Sequence, residues 1–153
     1  MAHHYNLHRF LTAQEPTYDT VLAELRAGRK SSHWIWFIFP QIAGLGHSAT
    51  AQQYAITSLD ETKAYLQHPV LGQRLRECTR LVLNVEGRSA EEIFPYPDNL
   101  KFHSSMTLFA RAAATTPAGN LSVADDPALA SVFQQALQSF FAGQSDPATL
   151  RLL

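Results

Sequence analysis

Two short segments of the 153-residue sequence hold the residues whose types could do chemistry. The aromatic segment, residues 31–46, contains both tryptophans and ends in a Gly-Leu-Gly turn signal. The serine segment, residues 101–105, reads Lys-Phe-His-Ser-Ser. In both segments, polar residues with little reason to enter a core flank strongly apolar stretches, as expected for a pocket wall. The predicted ligand-binding residues are Ser32, His33, Trp34, Trp36, Gln41, Lys101, His103, Ser104 and Ser105.

Several of these residues have a structural interpretation beside the functional one. His33, next to two indoles, could stack on a planar ligand, or it could be a core histidine bonded to a backbone carbonyl. The Gln41 amide could hydrogen-bond to a polar edge of a ligand, or it could stabilise a turn. Lys101 near a helix start could help to seat an anion, or the helix cap itself could use the free amides there. Ser104 and Ser105 could belong to the same anion seat, or their small size could let helices pack closely.

These features favour a small-molecule binding domain for planar, anionic, nucleotide-like ligands, with a pocket between residues 31–46 and 101–105. If the protein is an enzyme, which the sequence leaves open, His33 would be the acid or base and Lys101 the charge stabiliser. The alternative is a non-catalytic protein-interaction module in which the aromatic stretch is plain core. Its partner surface would then lie on a helix over 127–142 or on the basic cluster Arg26–Lys30.

Several function classes are disfavoured. The net charge of −1 argues against nucleic-acid binding, which needs a basic stripe. No apolar run reaches about 18 residues, so no membrane span is predicted, and the first ten residues lack the apolar core of a secretory signal. A single cysteine, Cys78, fits a reducing cytosol, so we expect a cytoplasmic protein. The spacing of the histidines predicts no metal site, and without a Rossmann fingerprint or a P-loop no cofactor is predicted.

The elements that must position these residues are predicted to be helical. Apolar residues recur at helical spacing along most of the chain, which predicts an all-α, mainly helical fold of seven to nine mostly short helices. Length and composition predict one compact domain over residues 1–153. The β-branched and aromatic run 34–39 could be a strand by propensity. Its helical surroundings, and the absence of a second convincing strand, favour a short buried helix.

Helix boundaries follow from capping residues and breakers. Ser58 and Glu61 have the spacing of a capping box, and Asp98 is placed to cap the helix that carries the serine segment. The basic residues Arg26–Lys30 are expected to stay solvated at a helix end, with a basic rim beside the aromatic segment as the alternative. Residues 112–125 predict a surface loop, and Asp-Pro at 126–127 predicts the start of the strongest helix. Cys78 falls within an apolar seam and is expected to be a core thiol.

Four pieces of the sequence together resemble the bacterial domain-of-unknown-function family 1810: GRKSSHWIWFIFPQIAGLGHS (28–48), YAITSLDE (54–61), YLQHPVLGQRL (65–75) and KFHSSMTLF (101–109). Members of that family are sometimes labelled calpastatin, which nothing in this sequence supports. The resemblance implies a mainly helical single domain and implies no activity. Two features depart from the family pattern: His103 stands where members usually carry a basic residue, and the Pro-Tyr-Pro stretch after Phe94 looks longer than usual.

Overall fold

The structure, a computed structural model, describes residues 5–114 and 132–153, in which it contains ten helices and no strand. The predicted all-α fold is therefore confirmed, and the number of helices exceeds the predicted seven to nine because several are single turns. The helices are α1 (His8–Gln14), α2 (Tyr18–Arg26), α3 (Ile35–Ile38), α4 (Ala49–Gln53), α5 (Leu59–Gln67), α6 (Leu71–Leu83), α7 (Ala90–Ile93), α8 (Asp98–Ala114), α9 (Val132–Phe141) and α10 (Pro147–Arg151).

Helix α8, which carries the serine segment, is the centre of the packing. It contacts α9, α5, α10, α3 and α7, and its side chains Phe102, Met106 and Phe109 are fully buried. Phe102 stacks on Phe94 with ring centroids 4.5 Å apart and meets Phe39 edge to face at 5.0 Å. Each fully buried aromatic side chain stabilises the fold by roughly 1.5–3 kcal/mol, so this cluster fixes the position of the first turns of α8.

The aromatic segment forms the predicted short helix, α3, with Trp34 as its N-cap residue. Trp34, Ile35, Ile38 and Phe39 are buried, whereas Trp36 is only partly buried. Beyond Pro40, an isolated parallel bridge joins Ile42 to Ile56. The chain after α3 is therefore held at a fixed distance from the start of α5.

The predicted capping box at Ser58 and Glu61 is only half formed. The Ser58 hydroxyl accepts a hydrogen bond from the Glu61 amide at 3.1 Å, as predicted. The Glu61 carboxylate, however, accepts from the amide and hydroxyl of Thr57, both at 2.8 Å. A second attraction explains the difference, because Glu61 is also paired with Arg9 at 3.1 Å and its carboxylate is drawn away from its own helix start.

The prediction that Asp98 caps α8 is wrong. Asp98 is the first residue of that helix, and no backbone amide among the described residues donates to its carboxylate. The carboxylate is held by Lys30 instead, whose Nζ lies 2.6 Å from Oδ2. The expectation that Lys30 stays solvated is wrong for the same reason, since Lys30 is only 6% exposed, whereas Arg26 and Arg29 are exposed.

The remaining predictions about the elements have mixed outcomes. Cys78 is buried in α6, as expected of a core thiol, and burial raises its pKa to about 12. The loop predicted from residue 112 begins later, because α8 continues to Ala114. The rest of that loop and the predicted helix start at 126–127 lie outside the described residues.

Candidate functional site

A cleft of about 490 Å³ lies between the aromatic segment and the serine segment. Its wall is formed by parts of residues 36–51 on one side, parts of 97–104 on the other, and two residues of the C-terminal segment, Asp146 and Ala148. The structure brings together five of the nine residues predicted to bind a ligand: Trp36, Gln41, Lys101, His103 and Ser104. Ser32, His33, Trp34 and Ser105 are not part of the lining.

The indole of Trp36 and the ammonium group of Lys101 face each other in this cleft. Lys101 Nζ lies 6.0 Å from the centroid of the Trp36 ring, at the outer limit of a cation–π contact. It also lies 3.6 Å from Oδ1 of Asp98, three residues earlier on the same helix. Lys101 is therefore held beside an aromatic surface by a weak ion pair, and its ammonium still has hydrogens to donate to a ligand.

Asp98 carries a second lysine on its other oxygen. Lys30 Nζ lies 2.6 Å from Oδ2 and 5.2 Å from the ring centroid of Trp34. The carboxylate of Asp98 thus stands between two ammonium groups, one buried and one at the cleft. Its negative charge offsets part of the positive potential that the start of α8 and Lys101 would offer to an anion.

Asp146 is a wall residue that the sequence did not single out for the site. Its Oδ2 accepts hydrogen bonds from Ser104 Oγ at 2.8 Å and Thr149 Oγ1 at 2.6 Å, and its own amide donates to Thr107 Oγ1 at 2.9 Å. Partial burial alone would raise the pKa of Asp146, but the hydrogen bonds from Thr149 and Ser104 lower it. The cleft therefore contains a fixed carboxylate that is ionised at neutral pH.

His103 is oriented by two contacts with the C-terminal part of the chain. Its Nε2 lies 2.8 Å from the carbonyl oxygen of Gln144, and its ring stacks on Phe141 with centroids 4.0 Å apart and planes 8° from parallel. Because a carbonyl oxygen only accepts, the proton of the neutral ring must be on Nε2. The lone pair of the neutral ring is then on Nδ1.

Ser32 and Trp34, both predicted to bind a ligand, instead contact Glu24 of α2. The Glu24 carboxylate accepts from the amides of Ser31 and Ser32, from the Ser32 hydroxyl and from the Trp34 indole N–H. Burial alone would raise the pKa of Glu24, but the hydrogen bonds from Ser32, Ser31 and Trp34 lower it to about 2. These groups fix the chain that enters α3, and so they position Trp36 indirectly.

The other two predicted residues also lie apart from the cleft. His33 is exposed, so it is not the core histidine of the structural alternative. Ser105 is fully buried in α8, and its hydroxyl has no hydrogen-bond partner among the described residues. Ser105 is therefore shielded from the cleft, and close helix packing at this residue stays a prediction.

The turn at the end of the aromatic segment shapes one rim of the cleft. A Cβ added to Gly46 would lie 2.5 Å from the Cβ of Ala51 in α4, closer than real side chains approach. The missing side chain therefore lets α4 fold back over the turn. His47 and Ser48 reach the lining in this way, and the Ser48 hydroxyl also accepts from the Ala51 amide at 3.1 Å, which caps α4.

Asp146 could have been suspected only in part from the sequence. The Asp-Pro pair at 146–147 indicates a helix start, and Asp146 does accept from the Thr149 amide at 3.3 Å. Nothing local in the sequence places that helix start against α8, because the contact depends on the path of the whole C-terminal half. No group of three or more potential metal ligands occurs within residues 5–114 and 132–153.

Comparison with known proteins places the chain in a family. The profile of the family described as "protein of unknown function (DUF1810)" matches residues 4–153. The chain belongs to this family. It is also similar to a conserved hypothetical protein of Mycobacterium tuberculosis whose crystal structure is known at 1.38 Å. The two are 50% identical, the alignment covers 97% of this chain and 96% of the other, and the TM-score is 0.85.

The family assignment confirms the resemblance seen in the sequence and, like it, carries no activity. No curated protein matches the chain. No helix in the described part of this family member combines the length and apolarity needed to cross a membrane. A function must therefore be argued from the geometry of the cleft.

Proposed function

We propose that the cleft between the aromatic and serine segments binds a planar, anionic small molecule of the nucleotide type. The observation that carries the proposal is the pairing of Trp36 and Lys101 on the cleft wall, with Nζ 6.0 Å from the indole centroid. An indole face accepts a flat ring by stacking, and a neighbouring ammonium binds a phosphate or carboxylate.

The size and composition of the cleft support this proposal. Its volume of about 490 Å³ is within the usual range for small-molecule sites. Polar groups that could orient a ligand converge on it from separate elements: the Gln41 amide, the Ser48 hydroxyl and the imidazoles of His47 and His103. The apolar side chains of Leu45 and Leu100 complete the wall.

The proposal concerns binding and uses one of the two predicted catalytic candidates, Lys101, as an anion contact. The other, His33, is exposed and outside the lining. We expect the phosphate or carboxylate of the ligand to lie beside Lys101, where a charge-assisted hydrogen bond contributes about 1.5–3 kcal/mol.

The test is a thermal-shift screen of purine and pyrimidine nucleoside monophosphates, the matching nucleosides, and inorganic phosphate. A ligand at 100 times its Kd should stabilise the protein by about 2.7 kcal/mol. Binding should also quench tryptophan fluorescence, and the quenching should disappear in Trp36→Phe, because Trp34 is fully buried. A screen in which no compound raises Tm or changes the fluorescence would refute the proposal.

Two lysine variants sharpen the screen. Lys101→Met should weaken binding of a monophosphate about 10-fold or more while changing binding of the matching nucleoside little. Lys63→Met is the matched control, because Lys63 lies in α5 outside the cleft lining. Equal losses for nucleoside and nucleotide in Lys101→Met would mean that Lys101 supports the wall and does not bind the anion.

A further inference from the structure

Asp146 offers one carboxylate oxygen to the cleft while the protein occupies the other. All three hydrogen bonds to this side chain end on Oδ2: from Ser104 Oγ at 2.8 Å, from Thr149 Oγ1 at 2.6 Å and from the Thr149 amide at 3.3 Å. Oδ1 accepts from no described residue, and it is not among the buried atoms that lack a partner. The side chain is thus held rigidly with one accessible acceptor at the cleft wall.

When the His103 ring is neutral, the same wall offers a second acceptor. The Nε2–H of His103 donates to the Gln144 carbonyl at 2.8 Å, so Nδ1 of the neutral ring carries a lone pair. Ser104, which follows His103 on α8, is itself bonded to Asp146. This end of the cleft therefore presents hydrogen-bond acceptors. Lys101 and Trp36 instead present a cation beside an indole ring.

We infer that the ligand carries N–H donors along one edge of its ring and that these donors hydrogen-bond to Asp146 Oδ1. This inference rests on the proposed function, and it adds the donor edge to the planar ring and anionic group proposed there. Among purine nucleotides the guanine type matches this pattern best, because N1–H and the 2-amino group place two donors on one edge. Hypoxanthine lacks the 2-amino group. Xanthine has a carbonyl oxygen in its place, which would face the carboxylate with like polarity.

The three bases give a test in the wild-type protein. Affinities for the guanine, hypoxanthine and xanthine nucleoside monophosphates are measured by calorimetry under one buffer condition. We expect the guanine nucleotide to bind most tightly, the hypoxanthine nucleotide to bind about 10-fold more weakly, and the xanthine nucleotide to bind most weakly.

Asp146→Asn should invert this order. The Thr149 backbone amide donates to Oδ2 at 3.3 Å and can only donate, so the new amide oxygen takes that position and the NH₂ group replaces Oδ1. The wall then offers a donor, and the xanthine nucleotide should become the preferred ligand of the three. Asp60→Asn, at an exposed position in the first turn of α5, is the matched control and should keep the wild-type order.

The outcomes separate this inference from the proposed function. Equal affinities of the wild-type protein for the three nucleotides would overturn the donor-edge inference and leave the proposed binding role intact. If none of the three binds and other planar anions do, the inference is again wrong while the binding role stands. If no planar anion binds, both fail. Should Asp146→Asn not fold, the wild-type order decides alone.

Discussion

The two tryptophans of this protein stand two residues apart and have matching neighbours in different surroundings. Trp34 is fully buried, with Lys30 Nζ 5.2 Å from its ring. Trp36 is partly exposed at the cleft, with Lys101 Nζ 6.0 Å from its ring. Both lysines are paired with the same carboxylate, that of Asp98. The same residue types therefore form a structural unit on one side of Asp98 and a candidate binding surface on the other.

The difference between the two pairs lies in their remaining hydrogen-bonding capacity. The Trp34 indole N–H is already bonded to Glu24 at 2.9 Å, and Lys30 is closed off from solvent. The indole N–H of Trp36 has no hydrogen bond to the described residues, and the Lys101 ammonium has a 3.6 Å ion pair with Asp98 beside its 6.0 Å contact with the Trp36 ring. A site for a ligand needs groups that are positioned by the protein but not satisfied by it, and only the second pair meets that condition.

The largest effect that would test this comparison is truncation of each indole. Trp34→Ala should lower the free energy of unfolding by about 3–5 kcal/mol, because it empties a fully buried aromatic site. Trp36→Ala should cost about 1–2 kcal/mol, since part of its surface is already in water. Urea unfolding followed by circular dichroism measures both. Equal losses of unfolding free energy would show that Trp36, like Trp34, has a structural role.

Substitution of the two lysines should show the same contrast in stability, with a larger loss of unfolding free energy for Lys30 than for Lys101. Lys30→Met keeps most of the apolar stem but removes the charge that pairs with Asp98 at 2.6 Å, and we expect a loss of about 2 kcal/mol. Lys101→Met removes a longer, partly exposed ion pair, and we expect less than about 1 kcal/mol. Both are measured by urea unfolding at neutral pH. A larger loss for Lys101 would contradict its assignment to the binding surface.

Glu24, which accepts a hydrogen bond from the Trp34 indole, makes the stability of the protein dependent on pH. Its pKa is lowered from 4.5 to about 2 in the folded protein. The stability gained from the ionised carboxylate is therefore fully present above about pH 5 and is lost as the pH falls toward 2. Glu24→Gln should cost about 1–2 kcal/mol at pH 7, after allowance for solvent screening, and progressively less at pH 4 and pH 3.

The control for this prediction is Glu86→Gln, which changes an exposed carboxylate outside the Glu24 network. Its unfolding free energy should follow that of the wild type across the pH range. If the cost of Glu24→Gln were constant from pH 7 to pH 3, the hydrogen bonds to Glu24 would not depend on its charge.

Periodicity and capping residues predicted most of the helices, because those signals act within a few residues of one another. The aromatic segment was correctly predicted to contain a short helix. The prediction for Asp98 failed because a local rule was applied to a residue that takes part in a long-range contact. A distant buried lysine competes with nearby amides for the carboxylate, and the ion pair with Lys30 is the interaction observed.

The composition of the cleft wall was less predictable for the same reason. The aromatic and serine segments could be chosen from their residue types, and both contribute to one cleft. Asp146 and His47 could not be chosen in this way, since each reaches the cleft wall through the packing of another element. Ser32 and His33 show the reverse case, because polar residues beside an aromatic run can equally well bond a neighbouring helix or face solvent.

The smallest expected effect belongs to His33, which directly precedes Trp34 in the chain. Its side chain is exposed and outside the cleft lining, although both neighbours, Ser32 and Trp34, are bonded to Glu24. His33→Ala should therefore change the free energy of unfolding by less than about 0.5 kcal/mol and leave any thermal shift by a nucleotide unchanged. Thermal unfolding with and without ligand measures both quantities. If the variant had normal stability but no ligand response, His33 would belong to the binding site. The cleft would then have to extend past Trp36 to the surface around Ser32.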